Sequence, residues 1–152
     1  MKIYFAGSIR GGRQDAGRYA AMVDYLRGFG DVLTEHVGDT RLSEAGDDGP
    51  DDRFIHDRDM VWLKSCDLVV AEVTTPSLGV GYELGWAAAM KKPVLCLFRG
   101  GTRQVLSAMI AGCPGIQTVV YSGLAAARRH MAAFITDVTA AGTETRPIEE
   151  CP

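Results

Sequence analysis

Asp67-Leu68-Val69-Val70-Ala71-Glu72-Val73 decides the fold, because its apolar centre is continuous instead of alternating with polar residues. Such a run is a strand covered on both faces, and strands of that kind belong to parallel sheets. Upstream, residues 53–65 have helical periodicity. Downstream come the turn Thr74-Thr75-Pro76-Ser77 and an almost wholly apolar helix from Gly79 to Lys91. They are followed by a strand from Pro93 to Phe98, a Gly-Gly turn and a helix from Gln104 to Ala111. A strand from Gln117 to Tyr121 and a helix from Leu124 to Ala140 end the pattern. At the start of the chain, Lys2 to Ala6 is a strand and Gly7 to Arg13 a loop. In residues 14–29, Tyr19, Met22, Val23, Leu26 and Phe29 share one helical face. Asp31 to Glu35 is the second strand, and His36 to Asp52 is polar. The acids Asp47, Asp48, Asp51 and Asp52 there suit a solvated loop ahead of a helix N-terminus.

Five strands alternating with five helices give an α/β fold, since right-handed crossovers place helices on both faces of a parallel sheet. The expected architecture is a flavodoxin-like, doubly wound, five-stranded Rossmann-like sheet of order 2-1-3-4-5. The 152 residues are 47% hydrophobic and 23% charged, with net charge −3. This is the composition of a globular domain, expected over residues 1–141 with a loosely ordered tail at 142–152, and it excludes collagen, coiled coil and wholesale disorder. Without a Lys/Arg stripe there is no footprint for nucleic acid. The cysteines at 66, 96, 113 and 151 have no metal-ligand spacing, and two sit in apolar runs, which points to a reducing compartment. The N-terminal apolar stretch is too short for a signal peptide, and no run approaches the roughly 18 residues of a membrane span. A cytoplasmic protein without metal or cofactor is expected.

In sheets of this order ligands bind beyond the carboxyl ends of the strands, where the strand order reverses. That point lies between strands 1 and 3, at Gly7–Arg13 and Thr74–Glu83. The first loop, Gly7-Ser8-Ile9-Arg10-Gly11-Gly12-Arg13, suits a phosphate or sugar hydroxyl, although such turns are common and arginines also serve as surface charge. It has neither the P-loop nor the dinucleotide spacing. Glu83 is the only charged side chain in Leu78–Met90, and a carboxylate in a buried helix must be paired, protonated or used. Near a helix N-terminus the dipole favours the anion, so Glu83 is expected to be ionised and nucleophilic, or else bonded to its own backbone. Asp59 shares a stripe with Ile55, Trp62, Leu63 and Cys66, whereas Asp57, Arg58 and Lys64 are expected to point elsewhere. It is a partner for Glu83 in acid and nucleophile roles, or else it bonds to a core backbone group or caps a neighbouring helix. His36 suits a base or sugar contact or loop packing; His56 and His130 suit the surface or packing. Ser77, with the N–H groups of Gly79 and Val80, would form an anion nest.

These segments together resemble the 2'-deoxynucleoside 5'-phosphate N-hydrolases of the nucleoside 2-deoxyribosyltransferase superfamily. The resemblance rests on Gly7–Gly12, Thr34-Glu35-His36-Val37, Phe54-Ile55-His56 with Asp59, and Val69–Thr74 followed by Pro76–Gly85. Lys92–Arg99 and Val105–Ile110 extend it, so that it covers residues 2 to 112. It implies a homodimer that cleaves the N-glycosidic bond of a deoxynucleoside monophosphate, with Glu83 as nucleophile on C1'. By the same likeness Asp59 protonates or holds the departing base, and Tyr4 positions Glu83. The 5'-phosphate would rest on Ser77, Gly79 and Arg10, with Ser107 reaching in from the other subunit. Ser8 and His36 would line the nucleoside, and Gly7, Ile9, Gly11 and Met109 complete the substrate-binding set. The sequence departs from the pattern at Trp86, where a basic residue is expected, and at Thr75, where an amide is usual. Both bear on base preference. Alternatives are a deoxyribosyltransferase or a CMP-type ribonucleotide hydrolase of the same superfamily, or a non-catalytic nucleotide-binding module.

Overall fold

The apolar centre of the decisive stretch is explained by its neighbours. In the computed structural model, which describes residues 1–12, 14–41 and 51–144, β3 (Leu68–Glu72) is buried along its whole length. It lies between β1 (Lys2–Ala6) and β4 (Val94–Arg99). The edges are β2 (Asp31–Val32) and β5 (Gln117–Tyr121). All pairings are parallel and the order is β2-β1-β3-β4-β5, the doubly wound arrangement expected from the alternation of elements. The register sets Tyr4 beside Val69 and Ala71 beside Cys96.

Successive strand residues serve opposite faces. Ile3, Phe5, Leu68, Val70, Leu95 and Leu97 pack against α1 (Ala16–Leu26) and α5 (Leu124–Glu144) through Tyr19, Met22, Leu26, Met131 and Phe134. Tyr4, Ala6, Val69, Ala71, Val94 and Cys96 face α2 (Asp52–Ser65) and α3 (Leu78–Ala89) through Leu63, Val80, Leu84 and Ala87. Tyr4 is thus the large polar side chain on a face otherwise built of small and apolar residues. Asp51 caps α2, its Oδ1 accepting from Phe54 N at 2.7 Å. At the far end of α2, Lys92 Nζ donates to the carbonyls of Lys64 and Cys66 at 2.8 and 2.7 Å.

Several boundaries differ from the sequence expectation. β2 ends at Val32 because Thr34 leaves the ladder: its Oγ1 accepts from Phe5 N at 2.8 Å and donates to Phe5 O at 2.6 Å. A 3₁₀ turn over Glu35–Gly38 follows. α1 is shorter than 14–29, and Asp15 precedes it without capping it through its side chain. The helix expected from Gln104 is reduced to α4 (Ala108–Ala111), none of whose residues is buried. A short helix with no buried face has little to hold it. α5 runs past Ala140 to Glu144, so the start of the expected tail is helical. Arg13, Asp47, Asp48, Cys151 and the rest of the tail lie outside the described residues.

Leu95 is fully buried at the centre of the sheet. Leu95→Ala is expected to cost about 2–5 kcal/mol of stability, read from urea unfolding curves.

Candidate active site

Because α1 and α3 leave β1 and β3 on opposite faces, the loops after these two strands separate and a crevice opens between them. A cavity of about 530 Å³ occupies it, within the usual size of small-molecule sites. One wall is Gly7, Ile9, Arg10 and Gly11. Opposite stand Pro76, Ser77, Leu78, Gly79, Val80 and Glu83, and α2 with His36 closes the third side through Ile55, Arg58 and Asp59. The first two walls touch. A Cβ on Gly11 would lie 2.5 Å from Pro76 O and 2.7 Å from Ser8 Oγ, so no larger residue fits there without displacing backbone.

Tyr4 points along the small-residue face to Glu83, and its hydroxyl donates to Glu83 Oε1 at 2.9 Å. Burial, with the charges of Glu83 and Asp59 beside it, pushes the Tyr4 phenol far above its ordinary range, so it remains a donor. Burial also pushes the Glu83 carboxyl from 4.5 up to about 7; the Tyr4 hydrogen bond opposes this rise and the charge of Asp59 adds to it. Burial therefore works against the ionised Glu83 expected from the helix N-terminus. Glu83 lies in the second turn of α3, beyond the free N–H groups of the first, and desolvation outweighs the dipole. Those free groups lie instead beside Ser77, the N-cap of α3, whose Oγ accepts from Val80 N at 3.4 Å.

Arg58 was expected to point away and does not. Its Nε donates to Asp59 Oδ1 at 2.9 Å, its guanidinium carbon stands 4.7 Å from the Trp62 ring centroid, and its Nη2 lies 3.4 Å from His36 Nε2. Three residues after Ile55 and four before Trp62, Arg58 neighbours both on the helix surface, and that spacing is the signal that could have found it. Arg10 is exposed and bonded through Nη2 to Asp52 Oδ1 at 2.9 Å.

Of the sequence-derived site residues, Gly7, Ile9, Arg10, Gly11, His36, Asp59, Ser77, Gly79 and Glu83 share the cavity, with Tyr4 bonded to Glu83. Ser8 is fully buried under the loop, and among the described residues its Oγ has no hydrogen-bond partner. Ser107 and Met109 do not reach this cavity within the chain. They line a neighbouring groove of about 740 Å³ between α3 and α4, which also meets Ser77 and Leu78. His56 stays outside, on the surface with Asp57 and Tyr82. Among the described residues, no group of three or more His, Cys, Asp or Glu side chains is placed to hold a metal. None of their helices is long and apolar enough to cross a membrane.

A family model described as Nucleoside 2-deoxyribosyltransferase matches residues 3–144. The chain belongs to this family. It is 62% identical over 113 residues to the 5-hydroxymethyl-dUMP N-hydrolase of Tetraodon nigroviridis, a match covering 74% of this chain and 80% of that one. It is 59% identical over 111 residues to the Mus musculus protein of the same name, covering 72% of this chain and 64% of the mouse protein. The solution structure of BlsM is similar in fold, with a TM-score of 0.73 at 20% identity over 99% of this chain and 97% of that one.

Two measurements follow from the position of Glu83. A carbon-13 titration of its carboxyl is expected to have its midpoint near 7, and Tyr4→Phe is expected to raise that midpoint by removing the bond that favours the anion. The folded-state value is raised above the ordinary 4.5, so Glu83's contribution to stability is full below about 4.5 and is lost as pH rises through about 7. Glu83→Gln is accordingly expected to raise the melting temperature at pH 8 and to change it little at pH 4.

Proposed function

We propose that this chain hydrolyses the N-glycosidic bond of 2'-deoxynucleoside 5'-monophosphates to free base and 2-deoxyribose 5-phosphate, through a covalent glycosyl-Glu83 intermediate. The observation that carries this reading is the pair of carboxylates, Glu83 and Asp59, lining one cavity together with a helix N-terminus fit for a phosphate. The relatives named as 5-hydroxymethyl-dUMP N-hydrolases support it and point to a modified pyrimidine nucleotide as substrate.

In the first step the ionised Glu83 attacks C1' while the C1'–N bond breaks, its electron pair leaving with the base. Asp59, entering the cycle as the acid, gives the base the proton it takes up and becomes the carboxylate that receives the proton of water in the second step. In the second step water attacks C1', its proton passes to Asp59, and the Glu83 carboxylate departs. The passage is oxocarbenium-like, and a 2-deoxy sugar reaches it more readily because it lacks the electron-withdrawing 2'-hydroxyl. Tyr4 holds one Glu83 oxygen and leaves the other for C1'. A carboxyl with a midpoint near 7 is available as the anion at neutral pH and is a better nucleophile than an ordinary one.

The phosphate sits on Ser77, Gly79 and the first-turn N–H groups of α3, with Arg10. Arg10 exchanges Asp52 for the phosphate dianion, which costs little because exposed ion pairs contribute only about 0–1 kcal/mol. Ile9, Ile55 and His36 line the nucleoside, with Gly7, Ser8 and Gly11 shaping the loop beneath it. The chain works as a homodimer in the cytoplasm. Leu78, Val105 and Met109 are apolar and more than 80% exposed, and the face they form would carry Ser107 and Met109 into the partner's cavity.

The test is chromatographic detection of free base from dNMPs, 5-hydroxymethyl-dUMP, NMPs and unphosphorylated deoxynucleosides. Release is expected from the 5'-phosphorylated deoxy substrates only. Glu83→Gln is expected to lower kcat at least about a thousandfold and to leave ligand binding intact. Base exchange in the presence of a second base would mark a transferase, and binding without release a binding module. Met109→Asp is expected to shift the sedimentation profile to monomer and to raise KM for the phosphorylated substrate; a fully active monomer would remove the partner's residues from the site.

A further inference from the structure

Behind the cavity lies a second polar cluster that the proposed chemistry does not use. Asp15, at the end of the first loop, has a carboxylate only 8% exposed. Arg99, at the end of β4, grips it with two donors: Nη1 to Oδ1 at 2.6 Å and Nη2 to Oδ2 at 3.2 Å. Arg18 Nε reaches Oδ1 at 3.4 Å, and Thr75 Oγ1, in the second loop, donates to Oδ2 at 3.3 Å. Burial opposes ionisation of Asp15, yet the two arginines hold its carboxyl below the ordinary range. The network continues inward. Arg99 N donates to Thr74 Oγ1 at 2.8 Å, and Glu72, fully buried at the end of β3, accepts from Thr74 Oγ1 and from the Tyr121 hydroxyl at 2.9 Å.

Asp15, Thr75 and Arg99 do not line the cavity of about 530 Å³. They join instead the two loops that do, which lie 60 residues apart in the chain. The first loop contains Gly7, Gly11 and Gly12, the last with φ +128°, and glycines give a free loop many conformations to lose on binding. The second loop meets the first where Gly11 abuts Pro76. The part-buried, forked ion pair anchors the end of the first loop to β4, and the hydrogen bonds of Thr75 to Asp15 and of Arg99 N to Thr74 tie the second loop to the same pair, so both are held before a ligand arrives. Such preorganisation is a direct source of affinity. Paired with Asp15, Arg99 presents no unbalanced charge to the cavity.

We propose that Asp15, Thr75 and Arg99 form a positioning clamp that sets the Gly7–Gly12 and Thr74–Ser77 loops for the 5'-phosphate. These are positioning residues for phosphate affinity and take no part in bond cleavage. The inference rests on the reading above only in placing a sugar phosphate between these loops.

The experiment is calorimetric binding of 2-deoxyribose 5-phosphate and of unphosphorylated 2'-deoxyuridine to the native protein and to Asp15→Asn, with turnover and melting temperature read in parallel. Asp15→Asn is expected to weaken the sugar phosphate on the order of tenfold, to leave the nucleoside unchanged, and to raise KM for dNMP with kcat kept. Thr75→Val, which keeps the ion pair, is expected to show the same pattern more weakly and serves if Asp15→Asn does not fold. Equal losses for both ligands, or a lower melting temperature with no loss of affinity, would overturn the clamp. Tighter phosphate binding in Asp15→Asn would also overturn it, showing that a released Arg99 grips the phosphate itself. A native protein that binds the sugar phosphate and releases no base would refute the hydrolytic reading while the clamp stands; no binding at all would refute both.

Discussion

The parallel pairing of β1 with β3 is the constraint on which the molecule depends. These strands are neighbours in the sheet but not in sequence, so the chain leaves them on opposite faces, toward α1 from one and α3 from the other. The crevice is a consequence of that divergence and needs no further construction. The same register sends Tyr4 to the face on which α3 packs, where its hydroxyl meets Glu83. Sheet pairing, helix docking and the state of one carboxyl are thereby linked through a single side chain.

Glu83 shows how a site of this kind is held against the interests of the fold. At pH 8 a carboxyl drawn into an apolar helix is worth less to stability than an amide of the same shape, and among the described residues the Tyr4 hydroxyl is its one side-chain partner. The strain is local because the rest of that face is conventional packing of alanine, valine, leucine and cysteine. Asp15 and Glu72 are treated differently. Each accepts from several donors: the arginines hold the Asp15 carboxyl below its ordinary range, while burial still pushes that of Glu72 up.

Strand order and helix placement were legible because they follow from local periodicity and from the handedness of crossovers. Glu83 and Asp59 were legible for a related reason: a lone charge on an apolar stripe contradicts its surroundings. Arg58 was not, since a charged residue on a charged helix reads as solvated until Trp62 and His36 are brought beside it. Nor was the clamp, whose principal partners are 84 residues apart, each ordinary by itself. The early end of β2 escaped because a threonine hydroxyl can replace a backbone rung, and no periodicity records that substitution.

That replacement also bears on how the sheet meets other chains. An edge strand with open N–H and C=O groups is a template for edge-to-edge aggregation. Here the edge at β2 is two residues long and gives way at once to a side chain that satisfies Phe5 at both its N–H and its C=O. β1 is therefore sealed just where its neighbour stops. The opposite edge, β5, is a full five-residue strand carrying the exposed Val120. Among the described residues β5 pairs only with β4, so the margin of the sheet on that side is five residues long against two at β2.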